Sequence, residues 1–207
     1  MTLVETEQVL VVPTAEFHKL GHFQGVSTEV DRYLVRLLDP ELVSYRPRGA
    51  MESDPSFKQL IPYVIFQYDD PQGERWLFQY TRGSGQGETR LHRKVSIGIG
   101  GHISIEDSEV AGSTNPYHEG MRRELEEEVL IDTGYDDELV GILNDDETSV
   151  GRVHLGIVHR FTVHAPHVRP RETTMCDAGF QRLAELWEIR DQMESWSRIC
   201  LESLYAR

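Results

Sequence analysis

The stretch MRRELEEEVLID, residues 121–132, decides how the chain is read. From Arg123 to Glu128 it packs in four glutamates: Glu124, Glu126, Glu127 and Glu128. Like charges three or four residues apart on a helix repel by about 0.2–0.5 kcal/mol per pair. A chain carries such crowding either because the face is solvated or because something positive sits on it. At 3.6 residues per turn, Glu124, Glu127 and Glu128 share one face. Met121, Leu125 and Val129 form an apolar stripe roughly a hundred degrees away. Val129, Leu130 and Ile131 read as a buried exit. The spacing predicts a helix over 117–132 with one flank docked and three carboxylates along its edge. Such carboxylates raise one another's pKa unless a cation offsets them. Three oxygen donors suit a hard ion such as Mg²⁺ or Mn²⁺.

Working outward, the 207 residues suffice for one fairly large domain with a proper core. Nothing approaches the ~18 apolar residues of a membrane span. The N-terminal MTLVETEQVLVVP lacks a basic region before its apolar stretch, so no secretory signal is expected. The two cysteines, Cys176 and Cys200, have no metal-type spacing and make a poor disulfide framework, which points to a reducing, cytoplasmic setting. A net charge of −14 argues against nucleic acid and anionic membrane as partners. It leaves room for a phosphate-bearing small molecule where a metal ion or a basic patch reverses the field. One basic patch exists: Arg75, Arg82, Arg90, Arg93 and Lys94 face only Glu74 and Glu88 in that stretch.

Pattern along the chain gives strands over 9–12, 61–70 and 74–83, the last two joined as a hairpin by the turn at 71–73. A helix is expected over 28–40, an irregular stretch over 43–59, and a glycine-rich loop over 83–93. The strand of 94–104 breaks at Gly100-Gly101. After the acidic helix come strands over 138–146 and 151–165, a long loop over 166–179 and a closing helix over 185–206. The class is α/β, a mixed sheet with helices against it. Residues 1–60 form an N-terminal elaboration that either covers a sheet edge or makes a homodimer contact; 61–207 form the main domain.

The strand ending in GIGGH, the loop and the helix with RRELEEEVLI together resemble the signature of the Nudix hydrolases. That pattern runs Gly, five residues, Glu, seven residues, then Arg-Glu-apolar-x-Glu-Glu-x-Gly-apolar. Gly101, Arg123, Glu124, Leu125, Glu127, Glu128 and Ile131 match. Counting from Gly101 puts Asp107 at the first acidic position, whereas Glu106 fits only a count from Gly100. The spacer before Arg123 is about eight residues longer than the pattern, implying an inserted loop near 108–116, and Leu130 stands at the motif glycine.

The resemblance implies a Nudix-like α/β/α sandwich with a mixed sheet and a catalytic helix. It implies metal-dependent hydrolysis of a diphosphate linkage in a nucleoside diphosphate joined to another group. Mg²⁺ or Mn²⁺ would lie on Glu124, Glu127, Glu128 and the Gly101 carbonyl. Glu127 would also act in catalysis, as would Glu172, in a loop where the family often places an acid. Arg123 would orient Glu127, while Arg82, Arg93, Lys94 and His102 would touch phosphate oxygens. Tyr80 or Trp76 would either stack on a base or belong to the core. His154 and His159, five apart on a strand and so on opposite faces, read as structural. Asp145, Asp146 and Glu147 read as a hairpin turn. The inserted loop and Leu130 also fit a nucleotide sensor without catalysis; the intact Arg123-Glu124 and Glu127-Glu128 pairs favour the enzyme. An isoprenyl diphosphate isomerase would need a cysteine in the sheet, and both cysteines come late.

Overall fold

The computed structural model describes residues 7–83, 94–110, 115–171 and 173–206. In chain order the first elements are β1 (Gln8–Pro13), α1 (Thr14–Lys19), β2 (Gly25–Ser27), α2 (Val30–Leu37), β3 (Ser44–Pro47), α3 (Arg48–Met51) and β4 (Phe57–Asp69). Next are β5 (Arg75–Arg82), β6 (Val95–Ser96), β7 (Ile99–Gly100), α4 (Pro116–Glu128), β8 (Val129–Ile131) and β9 (Tyr135–Asn144). The chain ends with β10 (His154–Val163), β11 (Val168–Pro170), β12 (Met175–Arg182), α5 (Leu183–Glu188) and α6 (Ser195–Leu204). The fold is α/β, as expected. Among the described residues, no helix is long and apolar enough to cross a membrane.

The chain forms two compact units. The first comprises residues 1–62, 100–124 and 140–158. In it β1 pairs antiparallel with β3, from Gln8 opposite Pro47 to Val11 opposite Ser44, and with the start of β4. The stretch 43–59 is therefore ordered as a strand, a short helix and a strand start, not irregular. β3 is only four residues long and ends in Pro47, so period-two alternation cannot reveal it. Val9, Val11 and Met51 form a core with Phe57 packed on it. The segment after Gly101 joins β1, with Leu10 N–H donating to the Ile103 carbonyl at 2.8 Å.

Lys58 is fully buried, and its ammonium donates to Asn144 Oδ1 (2.7 Å), Asp146 Oδ1 (2.6 Å) and the Gly151 carbonyl (2.9 Å). All three of its protons have acceptors, which makes its burial tolerable. Asp145 accepts from Gln24 Nε2 and Thr148 Oγ1, both at 2.9 Å. The acids at 145 and 146 thus hold the turn together.

The second unit comprises residues 63–99, 125–139 and 159–207. β5 is its hub, paired antiparallel with the end of β4, with β6 and with β12. Asp70 Oδ1 accepts from the N–H groups of Gln72 and Glu74, both at 2.9 Å, and Gly73 takes a φ of 85°, which closes the expected hairpin. Phe66 packs edge-on to Phe78 and Phe161, with ring centroids 6.2 and 5.7 Å apart.

Two expectations change here. The stretch 166–179 holds β11 and the start of β12. The closing helix is broken: α5 stops at Glu188, a 3₁₀ turn follows over Arg190–Gln192, and α6 starts at Ser195. The break turns Glu194 inward, where Oε1 accepts from Tyr63 Oη (3.0 Å), Ser96 Oγ (2.8 Å) and Ser197 Oγ (2.9 Å). Met193 and Cys200 stay buried on either side, so the apolar stripe runs on through a helix that does not.

Candidate functional site

Helix α4 carries the three glutamates within little more than one continuous helical turn, and it ends at Glu128. Val129–Ile131 leave it as β8, which pairs antiparallel with β11, Val168 opposite Ile131 and Pro170 opposite Val129. The expected helix to 132 is thus four residues too long. Two of the three exit residues are β-branched, which favours a strand. The exit is also only partly buried: Val129 is 2% exposed, whereas Leu130 is 36% exposed. An exposed strand position needs no glycine, so a leucine stands at the motif glycine without steric cost.

At the first-unit end of the helix, Glu124 lies against Gly101. A Cβ on Gly101 would overlap the Glu124 carboxyl group. Gly101 thus leaves the space into which the Glu124 side chain reaches. Arg123 Nη1 donates to Glu124 Oε1 at 2.8 Å. Its other nitrogens clamp Asp107, Nε to Oδ1 at 2.8 Å and Nη2 to Oδ2 at 3.1 Å, and Nη2 also donates to the His102 carbonyl at 2.9 Å. Hydrogen bonding to Asp107 is the main reason the Arg123 pKa rises above its ordinary value, with Glu124's charge adding to it.

Asp107 is 3% exposed and also accepts from Ser104 N–H at 2.7 Å, in a reciprocal cap that starts a 3₁₀ turn over Ile105–Glu109. Gly120, one turn before Glu124, leaves room for it: a Cβ there would sit 2.7 Å from Asp107 Oδ2. Asp107 is the buried acid that meets Arg123, and Glu106 is exposed.

At the second-unit end of the helix, Glu127 is exposed and Glu128 half-buried. The Glu128 carbonyl accepts from Arg171 N–H at 2.8 Å, so the chain just before position 172 touches the helix terminus. Glu172 and Arg93 lie outside the described residues, as do 111–114 of the inserted loop. Arg82 closes β5 with its Nε 3.8 Å from Glu194 Oε2 and its guanidinium carbon 5.6 Å from the Tyr80 ring centroid. Burial pulls its pKa down, but the fields of Tyr80, Glu194, Tyr63 and Glu128 outweigh that and raise it. Lys94 is exposed, its carbonyl accepting from Arg82 N–H at 3.0 Å. Tyr80 is 2% exposed, with its hydroxyl donating to the Gly98 carbonyl at 3.3 Å, so it belongs to the core and not to a base-stacking surface. Trp76 Nε1 donates to Asp70 Oδ2 at 3.1 Å, beside the hairpin turn.

Sequence reasoning missed the acid network around Glu194, because Tyr63, Ser96, Glu194 and Ser197 are scattered along the chain with no spacing signal. It also missed the partner of His154. That ring meets His102, Nε2 to Nε2 at 3.3 Å. Burial, then the Arg48, His154 and Arg123 fields, hold the His102 pKa well below its usual value. His159 Nδ1 lies 2.7 Å from Asp137 Oδ1. Cys176 is exposed and Cys200 buried, and neither is in a disulfide.

No family model matches the chain. It is 34% identical over 207 residues to Protein YmaB of Bacillus subtilis (strain 168), covering 96% of this chain and 97% of that protein. It is 29% identical to the crystal structure of Tm1382, named as a candidate Nudix hydrolase, with a TM-score of 0.75 over 96% of this chain and 98% of that one. A Nudix hydrolase from Alicyclobacillus acidocaldarius shares the fold at a TM-score of 0.50, with 13% identity over 72% of this chain and 92% of its own. The likeness to Tm1382 runs nearly end to end, and the glycine, arginine and glutamates of the signature stand on a strand-loop-helix of the matching kind: the chain belongs to the Nudix hydrolase family and is a Nudix-type hydrolase.

Proposed function

We propose that the protein hydrolyses a diphosphate linkage in a small molecule of the form nucleoside diphosphate joined to another group, with Mg²⁺ or Mn²⁺ as cofactor. The observation that carries this reading is the fit of the Glu124 carboxyl group over Gly101, on the same helix face as Glu127 and Glu128. Three carboxylates make an oxygen-only donor set suited to a hard divalent ion. The absence of a Cβ at Gly101 leaves room for the Glu124 carboxylate, and Arg123 donates to it. The residues therefore fit the cofactor, and Glu124, Glu127, Glu128 and Gly101 would hold it. When bound, such an ion neutralises diphosphate charge and lowers the pKa of an attacking water.

The remaining roles belong to the chain. Arg123 is a positioning residue: it fixes Glu124 with one nitrogen and is itself anchored by Asp107 with two others. Arg82 and Lys94 would hold phosphate oxygens, with His102 and Arg93 as further contacts. Glu127 would accept the proton of the attacking water, or Glu172 would. Arg82 is suited to an anion because its guanidinium stays charged and part of it remains open, with a side-chain exposure of 34%.

The test is cleavage of nucleoside triphosphates, nucleotide sugars, ADP-ribose, dinucleotide polyphosphates and coenzyme A. EDTA should abolish turnover, and Mg²⁺ or Mn²⁺ should restore it. Glu127→Gln and Glu128→Gln should each lower kcat by roughly a hundredfold or more, which is about 3 kcal/mol of barrier, with an unchanged circular dichroism spectrum. Metal-independent turnover, or full rates in both variants, would refute the reading.

A further inference from the structure

We infer that Glu52, His102 and His154 form a second metal site, for a divalent first-row transition ion of the zinc class. Their ligand atoms all lie within 4.8 Å of one another, and the three residues come from separate stretches of the first unit. Glu52 follows α3, His102 follows Gly101, and His154 opens β10.

The histidine geometry carries the inference. His154 Nδ1 lies 2.8 Å from the Val150 carbonyl. A carbonyl only accepts, so Nδ1 holds the proton and Nε2 presents its lone pair. This is the outer hydrogen bond that orients a metal-bound imidazole. The lone pair is aimed at His102 Nε2, 3.3 Å away, with the ring planes inclined by 66°. Two imidazole nitrogens on one tetrahedral ion, each at about 2.0–2.1 Å from it, stand roughly 3.3–3.4 Å apart. The two rings already hold that separation. A hydrogen bond between them would account for the distance alone; the Glu52 carboxylate, with an oxygen within 4.8 Å of both rings' ligand atoms, adds a third donor.

Glu52 is the adjustable ligand. Its Oε1 lies 3.6 Å from Arg48 Nε, while Arg48 Nη1 donates to Glu7 Oε2 at 2.8 Å. Arg48 keeps Glu7 when Glu52 turns to the ion. Glu52 also supplies the negative charge that offsets Arg48 beside the site.

Ligand chemistry separates this site from the helix glutamates. Imidazoles select zinc-like ions, and an all-carboxylate face selects magnesium-like ions. A bound ion would clasp the end of α3, the residue after Gly101 and the start of β10. A second cluster, His18, His22 and Asp146, is the weaker candidate. Its histidines are exposed, and Asp146 already accepts from Lys58 Nζ at 2.6 Å and Asn144 Nδ2 at 2.9 Å. It serves as the control.

The experiment is a titration of the EDTA-stripped and dialysed full chain with Co²⁺, then Zn²⁺, in excess Mg²⁺. One equivalent of Co²⁺ should bind with visible absorption bands of a low-symmetry nitrogen and oxygen site, Zn²⁺ should displace it, and the melting temperature should rise with one equivalent of Zn²⁺. His102→Ala should abolish stoichiometric binding. Glu52→Gln, at an exposed position that leaves folding intact, should weaken it by tenfold or more. The double variant His18→Ala, His22→Ala should bind as the parent does, and so should Glu127→Gln. Absence of stoichiometric binding to the parent, its survival in His102→Ala, or its loss in the double variant would overturn the assignment. Because His102 is also a proposed phosphate contact, the metal readouts here are binding and melting temperature, and hydrolysis is read separately through Glu127→Gln and Glu128→Gln.

Discussion

Two guanidinium-carboxylate pairs in this protein join the same residue types and differ in kind. Arg123 grips Asp107 through two nitrogens at 2.8 and 3.1 Å, and the acid is 3% exposed. Arg82 stands 3.8 Å from Glu194, an acid 7% exposed whose Oε1 takes hydroxyl donors from Tyr63, Ser96 and Ser197. In the first pair the guanidinium satisfies the acid with two nitrogens and gives further hydrogen bonds to Glu124 and the His102 carbonyl. In the second the acid is satisfied by neutral donors, and the guanidinium is left with field but little directional bonding. The first arrangement builds a fixed support. The second keeps a charged guanidinium, its side chain 34% exposed, beside an acid that neutral donors already satisfy. The same residue types thus make two different arrangements, and the count of donors on each carboxylate tells them apart.

The largest effect should come from Asp107→Asn. The amide turns an NH₂ toward Arg123, where an oxygen accepted before, and the arginine loses one partner of its clamp. Breaking a buried pair from one side costs about 3–5 kcal/mol. Arg123 is 30% exposed, so water softens the loss, and about 3 kcal/mol is expected by urea denaturation. Activity should fall as well, because Glu124 is held through the same arginine. A loss below about 1 kcal/mol, of the size of a surface pair, would show that the clamp is not a support.

Parts of this contrast are legible in the amino-acid sequence. The helix glutamates and Arg123 stand at helical spacing, and Gly101 precedes them at a strand end, so the first support can be anticipated. The choice between Asp107 and Glu106 cannot be made by counting, because Gly100 and Gly101 are both glycines. It is made by Ser104, whose cap places residue 107 inward and residue 106 outward. The second pair is illegible for a different reason. Leu186, Met193 and Cys200 keep a helical stripe across 185–206, and that periodicity hides the break that turns Glu194 into the core. β3 and β11, of four and three residues, are invisible for want of length, since each is specified by a distant partner strand. The end of α4 could have been seen: Val129 and Ile131 are β-branched, but the acidic pattern before them carries the helical reading too far.

Arg82→Ala sharpens the other side of the comparison and should affect stability less. Glu194 keeps its three hydroxyl donors, so the fold should lose about 1 kcal/mol, the scale of one modest hydrogen bond. Substrate binding should suffer more. If the guanidinium meets a phosphate oxygen, removing it should raise KM by roughly tenfold to a hundredfold, the equivalent of about 1.5–3 kcal/mol for a charged hydrogen bond. Steady-state kinetics with the best substrate separates the two cases. A rise in KM with a nearly intact melting temperature supports a binding arginine. A fall in stability of several kcal/mol with KM unchanged would make Arg82 a second structural clamp and remove the contrast.

Glu106→Gln should do least, and that is its value. Glu106 sits next to Asp107 and fits the family pattern by residue type, where Asp107 fits it by count from Gly101. Its side chain is exposed, and what ties the residue down is its backbone N–H, which donates to Ser104 Oγ at 3.4 Å. A glutamine keeps that N–H, keeps the turn and removes only a solvated charge. The expected change is within about 0.5 kcal/mol, as for ordinary surface substitutions, with kcat and KM unaltered. Measured beside Asp107→Asn, it turns a question of register into a difference of about sixfold in free energy. Equal losses in the two variants would mean that the 3₁₀ turn at Ile105–Glu109 lets either acid reach Arg123, and the support would then be a mobile pair instead of a fixed one.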